Sequence, residues 1–134
     1  MIADAACPCG RTDARQHPVS LSTCCGRWLG HFEVAPAPDA ETLMRSRYTA
    51  FVLGDETYLL ATWHPDTRPS EARPEPGMRW LGLELREHRV IDVDTAEVEF
   101  AARYRLAGRA VRLHERSRFV REHGRWYYLR GEAP

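Results

Sequence analysis

The sequence predicts an α+β fold in which a curved antiparallel sheet wraps a helical layer, preceded by a small cysteine-rich knuckle. Three observations predict it. All four cysteines fall between positions 7 and 25, apolar residues recur at helical spacing from 43 to 52, and the period drops to two after residue 80. At 134 residues the chain suits one domain with an appendage. We divide it into a knuckle over 1–34 and an α+β body over 35–134.

The knuckle rests on Cys7-Pro8-Cys9-Gly10 and Cys24-Cys25-Gly26. Zinc favours four thiolates in a tetrahedral cage, and two close pairs joined by a loop can close one. Glycine after each pair permits the tight turns that aim the sulfurs inward. Buried structural cysteines, disulfides and a thiol redox couple are the competing readings. A Cys24–Cys25 disulfide would be strained, and a redox couple more usually shows Cys-x-x-Cys at a helix N-terminus. His17 and His31 are possible substitute ligands. Four thiolates around a divalent ion leave excess negative charge, which Arg11 and Arg27 could offset. A shell with four protein ligands has no open position for water, so the site folds the segment and does no hydrolysis.

Ala35-Pro36-Ala37-Pro38 makes a stiff connector, and Asp39 is a good N-cap. Leu43, Met44, Tyr48, Phe51 and Val52 then mark an amphipathic helix, with Arg45, Ser46 and Thr49 facing elsewhere and Gly54 at the C-cap. A second helix runs from about Glu56 to Trp63 and stops at His64-Pro65. Pro65, Pro69, Pro74, Pro76 and Gly77 make the next stretch an irregular loop. Strands follow. Leu81, Leu83 and Leu85 alternate with polar neighbours, as do Val98, Phe100, Ala102, Tyr104 and Leu106. Val111, Leu113, Glu115, Ser117 and Phe119 share one face, and Trp126 to Leu129 ends the meander. Gly108 and His123-Gly124 mark the turns. The two helices are the available cover for one sheet face.

Composition excludes several classes of function. Nineteen basic and nineteen acidic residues cancel, so no bulk attraction draws the chain to nucleic acid or an anionic membrane. Lysine is absent, which removes Schiff-base chemistry and leaves arginine forks or backbone amides to meet any anion. The Met1–Ala6 segment lacks a signal-peptide pattern and no apolar run approaches a membrane span. We therefore expect a reducing cytoplasm, where clustered cysteines point to metal before disulfides.

The knuckle residues Cys7-Pro8-Cys9-Gly10-Arg11 and Cys24-Cys25-Gly26 resemble the SEC-C zinc motif, best known from the SecA preprotein translocase. Further along, Leu43-Met44-Arg45-Ser46-Arg47-Tyr48-Thr49-Ala50-Phe51, Thr62-Trp63-His64-Pro65, Trp80-Leu81-Gly82-Leu83 and Glu115-Arg116-Ser117-Arg118-Phe119 resemble the bacterial YchJ family of uncharacterised proteins. The resemblance covers about Cys7 to Tyr128. It implies a nuclear-transport-factor-2-like cone and a structural Zn2+ on Cys7, Cys9, Cys24 and Cys25. The loop around Arg15-Gln16-His17-Pro18 is longer than in many SEC-C motifs. Some relatives carry a second cysteine motif at the C-terminus, where this sequence has Gly131-Glu132-Ala133-Pro134, so a function needing two knuckles is not expected.

Such cones often enclose a ligand, but fold alone does not assign one. Arg47 and Tyr48 on the first helix, Trp63 at the end of the second and Trp80 on the first strand are the pocket candidates. Glu115 and His64 are the acid/base candidates. Glu115 shares the apolar face of its strand, where a carboxylate is costly unless paired. Either it bridges to Arg45 or Arg47, which we favour, or its pKa rises and it can act as an acid. Arg103, Arg105, Arg112, Arg116 and Arg118 read as a solvated face interleaved with Glu97 and Glu99.

Two kinds of function follow. The preferred one is a zinc-binding, non-enzymatic module that holds a protein or peptide through the knuckle or a small ligand inside the cone. The alternative is a small enzyme using Glu115 or His64.

Overall fold

In the computed structural model, residues 5–73 and 75–134 are described; Met1–Asp4, within the segment read for targeting signals, and Pro74, within the proline-rich loop, lie outside them. Helix α1 spans Ala40–Leu53 and α2 Glu56–Ala61. Strands β1 (Arg79–Asp92), β2 (Thr95–Leu106), β3 (Arg109–Glu122) and β4 (Arg125–Glu132) form one antiparallel sheet in sequence order.

Local chemistry sets the boundaries. Asp39 accepts a 2.7 Å hydrogen bond from the Thr42 amide and so caps α1, while Gly54 ends it at φ 74°. Asp55 caps α2 in the same way, through the Tyr58 amide. Ala107-Gly108 and His123-Gly124 both adopt positive φ, the condition for two-residue hairpin turns whose twist matches the strands.

The sheet register brings Leu85 opposite Phe100 and Leu83 opposite Ala102. Phe100 faces Glu115, Val98 faces Ser117 and Ala96 faces Phe119. These residues form the inner face, and Val98, Phe100, Ala102 and Phe119 are buried. The first strand departs from simple alternation. An irregularity between Trp80 and Gly82 makes Leu81 an extra residue, half exposed, and so puts Trp80 on the same face as Leu83.

Helix α1 is buried on nearly every side, which its sequence pattern does not announce. Leu43, Met44 and Tyr48 meet the sheet side, yet Ser46, Arg47 and Thr49 are also buried. The knuckle and α2 cover the polar flank: Ser46 Oγ lies 2.7 Å from Tyr58 Oη, and Thr49 Oγ1 lies 3.7 Å from Cys7 Sγ. The four cysteines belong to the same buried cluster as Leu43, Met44, Val98 and Phe119. The knuckle is therefore built onto the main core. Beyond α2, residues 62–64 run beside β4, with Tyr128 N donating to Thr62 O and His64 N to Tyr128 O at 2.8 Å each.

Candidate functional site

The cysteine cage is assembled by backbone hydrogen bonds. The Cys7 amide donates to Val19 O at 2.8 Å, and the Cys24 and Arg27 amides donate to Leu21 O and Cys24 O at 3.1 Å each. Gly10 adopts φ 79°, and a Cβ on Gly26 would lie 2.7 Å from Leu21 O. Both glycines are thus required, one by conformation and one by space. Asp13 Oδ1 accepts from the Arg15 and His17 amides and closes the long loop between the cysteine pairs.

All four Sγ atoms lie within 4.8 Å of one another, and Cys9 Sγ is 3.7 Å from Cys24 Sγ. A tetrahedral cage with metal–sulfur bonds of about 2.3 Å requires sulfurs about 3.8 Å apart, so the donor set fits a thiophilic metal ion. The cysteines are free thiols, buried and unbridged, which removes the disulfide reading. Without a cation they cannot all ionise. Donation from Cys25 and Cys9 holds the Cys7 thiol far below its usual range. Burial and the charge on Cys9 and Cys7 push Cys24 up to about 12, and hydrogen bonding to Cys7 and Cys9 with burial raises Cys25. A bound cation would let all four become thiolates.

Charge compensation comes from a residue that sequence reasoning missed. Arg45 Nη1 donates to Cys9 O at 3.0 Å and lies 3.9 Å from Cys9 Sγ, while Nε contacts Glu41 at 3.2 Å. Burial acts to lower the Arg45 pKa, but Cys9 and Glu41 outweigh it and the pKa rises. Arg11 is engaged by Glu41 and Arg27 stacks 4.8 Å over Trp28. No local signal marks Arg45; only the docking of the knuckle against α1 reveals it. His17 and His31 are exposed and are not in the cysteine cluster.

A second feature lies between α1 and the inner sheet face. Arg47, Tyr48, Trp63, Trp80 and Glu115 line one cavity of about 180 Å³, together with apolar residues such as Phe51 and Phe100. Arg47 and Tyr48 come from α1, Trp63 from the segment after α2, Trp80 from β1 and Glu115 from β3. Trp80 packs edge-on to Tyr48 at 5.6 Å, and Trp63 to Tyr128 at 5.1 Å.

The expected bridge from Glu115 to Arg45 or Arg47 does not form. Arg45 is committed to the knuckle, and Arg47 Nη1 donates to Leu59 O at 2.8 Å and Thr62 Oγ1 at 2.7 Å. Arg47 is 3% exposed and has no carboxylate partner among the described residues. Burial pulls its pKa down to about 10. Glu115 accepts a 3.0 Å hydrogen bond from Ser117 Oγ, but burial dominates and raises its pKa. Its carboxylate occupies the space over Gly131, where a Cβ would collide with it. Tyr128 lies under both influences: burial and Glu115 raise its pKa, and Arg47 opposes them.

His64 is elsewhere. Its Nδ1 accepts from the Asp66 amide at 3.1 Å, so Nε2 carries the proton and donates to Glu122 at 2.8 Å. It does not line the cavity, and its bonds make it a packing histidine.

On the outer sheet face the expected alternation of charges holds for one half. Glu97 pairs with Arg89 and Arg118, and Glu99 with His114 and Arg116. Towards the β2–β3 turn, Arg103 instead opposes Arg112 and Arg105 opposes Arg79 across the ladder.

Comparison with known proteins places these features. A family model described as "YchJ, middle NTF2-like domain" matches residues 39–131. A UPF0225 protein of Polaromonas sp. (strain JS666) is 56% identical over 134 residues, covering 99% of this chain and 96% of that protein. One from Methylibium petroleiphilum is 61% identical over 127 residues, covering 94% and 87%. The solution structure of a SEC-C motif containing protein from Rhodopseudomonas palustris superposes with a TM-score of 0.80 at 31% identity, covering 96% of this chain and 98% of that one. The crystal structure of a SEC-C motif containing protein from Psychrobacter arcticus gives 0.79 at 28% identity, covering 96% and 82%. A nuclear-transport-factor-2-like body carrying a SEC-C-type cysteine knuckle, matched across nearly its whole length by these relatives, makes this chain a member of the YchJ (UPF0225) family.

Proposed function

We propose that the protein is a cytoplasmic ligand-binding module in which a structural Zn2+ on Cys7, Cys9, Cys24 and Cys25 locks the knuckle (1–34) onto the cone (35–134). The observation that carries this reading is the separation of the two features. The cage has four protein ligands and no open position for chemistry, whereas the cavity is apolar-walled with a few convergent polar groups, the form of a small-molecule site. Free thiols in a four-sulfur cage support zinc and a reducing compartment. No helix among the described residues is long and apolar enough to cross a membrane.

The same reading gives the knuckle a peptide or protein partner. A cleft of about 290 Å³ between the knuckle and α1, lined by Arg11, Arg27 and Arg45 among others, supports it. Pull-downs comparing wild type with Cys24→Ser check this part, and an identical partner set would remove the knuckle from docking.

Native mass spectrometry of protein purified without added metal tests the main reading. One zinc per chain, and a small molecule retained at near stoichiometry, is the expected result. Metal-free folded protein would sink the structural role of zinc. A second reading, a small enzyme with Glu115 as acid, is favoured by the burial of that carboxyl beside the cavity. Turnover of the retained molecule, abolished by Glu115→Gln, would select it.

A further inference from the structure

The cavity holds a cation that the protein itself does not neutralise. Arg47 is almost wholly buried, yet both of its hydrogen bonds go from one nitrogen, Nη1, to neutral oxygens of Leu59 and Thr62. Its other contacts are aromatic rings, Trp63 at 4.9 Å and Tyr128 at 4.6 Å from the guanidinium carbon. Nη2 and Nε make no hydrogen bond among the described residues. Trp63 adds a second donor without an acceptor, because its Nε1 is buried and unpartnered. Buried charges are ordinarily paired and buried donors ordinarily bonded. Here two exceptions of one sign line the same small space.

Resting on the ligand-binding reading above, we infer that the cavity is a receptor for a small apolar monocarboxylate, whose carboxylate docks on the unused edge of the Arg47 guanidinium. A planar carboxylate matches the arginine fork, and both partners gain from the low-dielectric surroundings. Phe51, Trp80 and Phe100 supply an apolar wall for the rest of the ligand, and about 180 Å³ limits it to the scale of one ring or a short branched chain. Arg47 is the one basic residue among the described lining residues, so a second negative group on the ligand would meet no cation. The inference therefore names monoanions and excludes dianions.

Isothermal titration of the full-length, metal-bound protein with sodium benzoate, benzyl alcohol and disodium terephthalate tests it. Benzoate is expected to bind at least tenfold more tightly than either other probe, and Arg47→Met is expected to abolish that preference while benzyl alcohol still binds. Because Arg47→Met could fail to fold, the wild-type protein carries an independent readout: the Trp63 indole N–H resonance, identified with Trp63→Phe, should shift with benzoate. Equal binding of benzoate and benzyl alcohol would overturn the anion site and leave the cavity reading intact. Unchanged benzoate affinity in folded Arg47→Met would also overturn it, and terephthalate binding as tightly as benzoate would overturn the restriction to monoanions. Failure of every probe at millimolar concentration would overturn both the cavity reading and the anion site.

Discussion

The guanidinium of Arg47 stands 4.6 Å over the Tyr128 ring while its Nη1 donates 2.7 Å to Thr62 Oγ1. This arrangement ties α1 to the end of α2 and to β4, since Tyr128 and Thr62 are also joined through their backbones. Removing only the Thr62 hydroxyl by Thr62→Val leaves a charged donor short of an acceptor. A loss of about 2 kcal/mol in urea unfolding is expected, the order for a buried hydrogen bond to a charged group. Thr62→Ser, which keeps the hydroxyl, should lose less. Equal stability of wild type and Thr62→Val would mean that Arg47 does not depend on this oxygen.

Arg45 should tune the metal site without touching its ion. It donates to Cys9 O and faces Cys9 Sγ from α1. Partners of this kind typically contribute about 10- to 100-fold in metal affinity. Arg45→Met is expected to weaken zinc binding within that range in a chelator competition while the far-ultraviolet spectrum is unchanged. An affinity equal to wild type would assign Arg45 to packing and to Glu41 alone.

The knuckle should fail when its tightest turn is filled. A Cβ at residue 26 would meet a backbone oxygen that cannot rotate away, so Gly26→Ala is expected to shift the Leu21 turn and reduce metal content by half or more, read by elemental analysis. Gly30→Ala makes the control for left-handed strain, because Gly30 has φ 77° and open space around it; it should keep its metal.

Glu115 gives the pH signature. Its native pKa is raised by burial, so the folded state holds the proton more tightly than the unfolded chain does. The associated stability is fully present below the ordinary glutamate range, near 4.5, and is lost as pH rises from there through the raised native pKa. Glu115→Gln cannot ionise. The stability of the variant relative to wild type should therefore increase across that window and level off above it. A pH-independent difference in denaturation midpoints would show that the carboxyl is not perturbed.

Gly131→Ala probes the same carboxyl from its neighbour. The collision falls on the mobile end of Glu115, so the side chain should swing away at a small cost in stability, and the raised pKa should return towards the ordinary value. Titration of the Glu115 carboxyl carbon by NMR reads this directly. An unmoved titration midpoint would mean that the carboxyl does not depend on the space over Gly131.

The sequence by itself determined the elements and the knuckle. Asp39, Gly54, Gly108 and His123-Gly124 act on backbone within a few residues, and the period-two runs decide which side chains share a face. Four cysteines beside glycines sufficed to place the cage, because ligand spacing in a short loop is a local property. Tertiary structure decided the rest. Leu81 turns outward through a bulge, and the polar flank of α1 is buried only because the knuckle and α2 close over it. Which arginine meets which charge is set by segments far apart in the chain. Arg45 serves the cysteines, and Arg47 is left without a carboxylate although Glu115 lines the same cavity. An ion pair needs contact within a few ångströms in three dimensions, and hydrophobic periodicity specifies faces without specifying those distances.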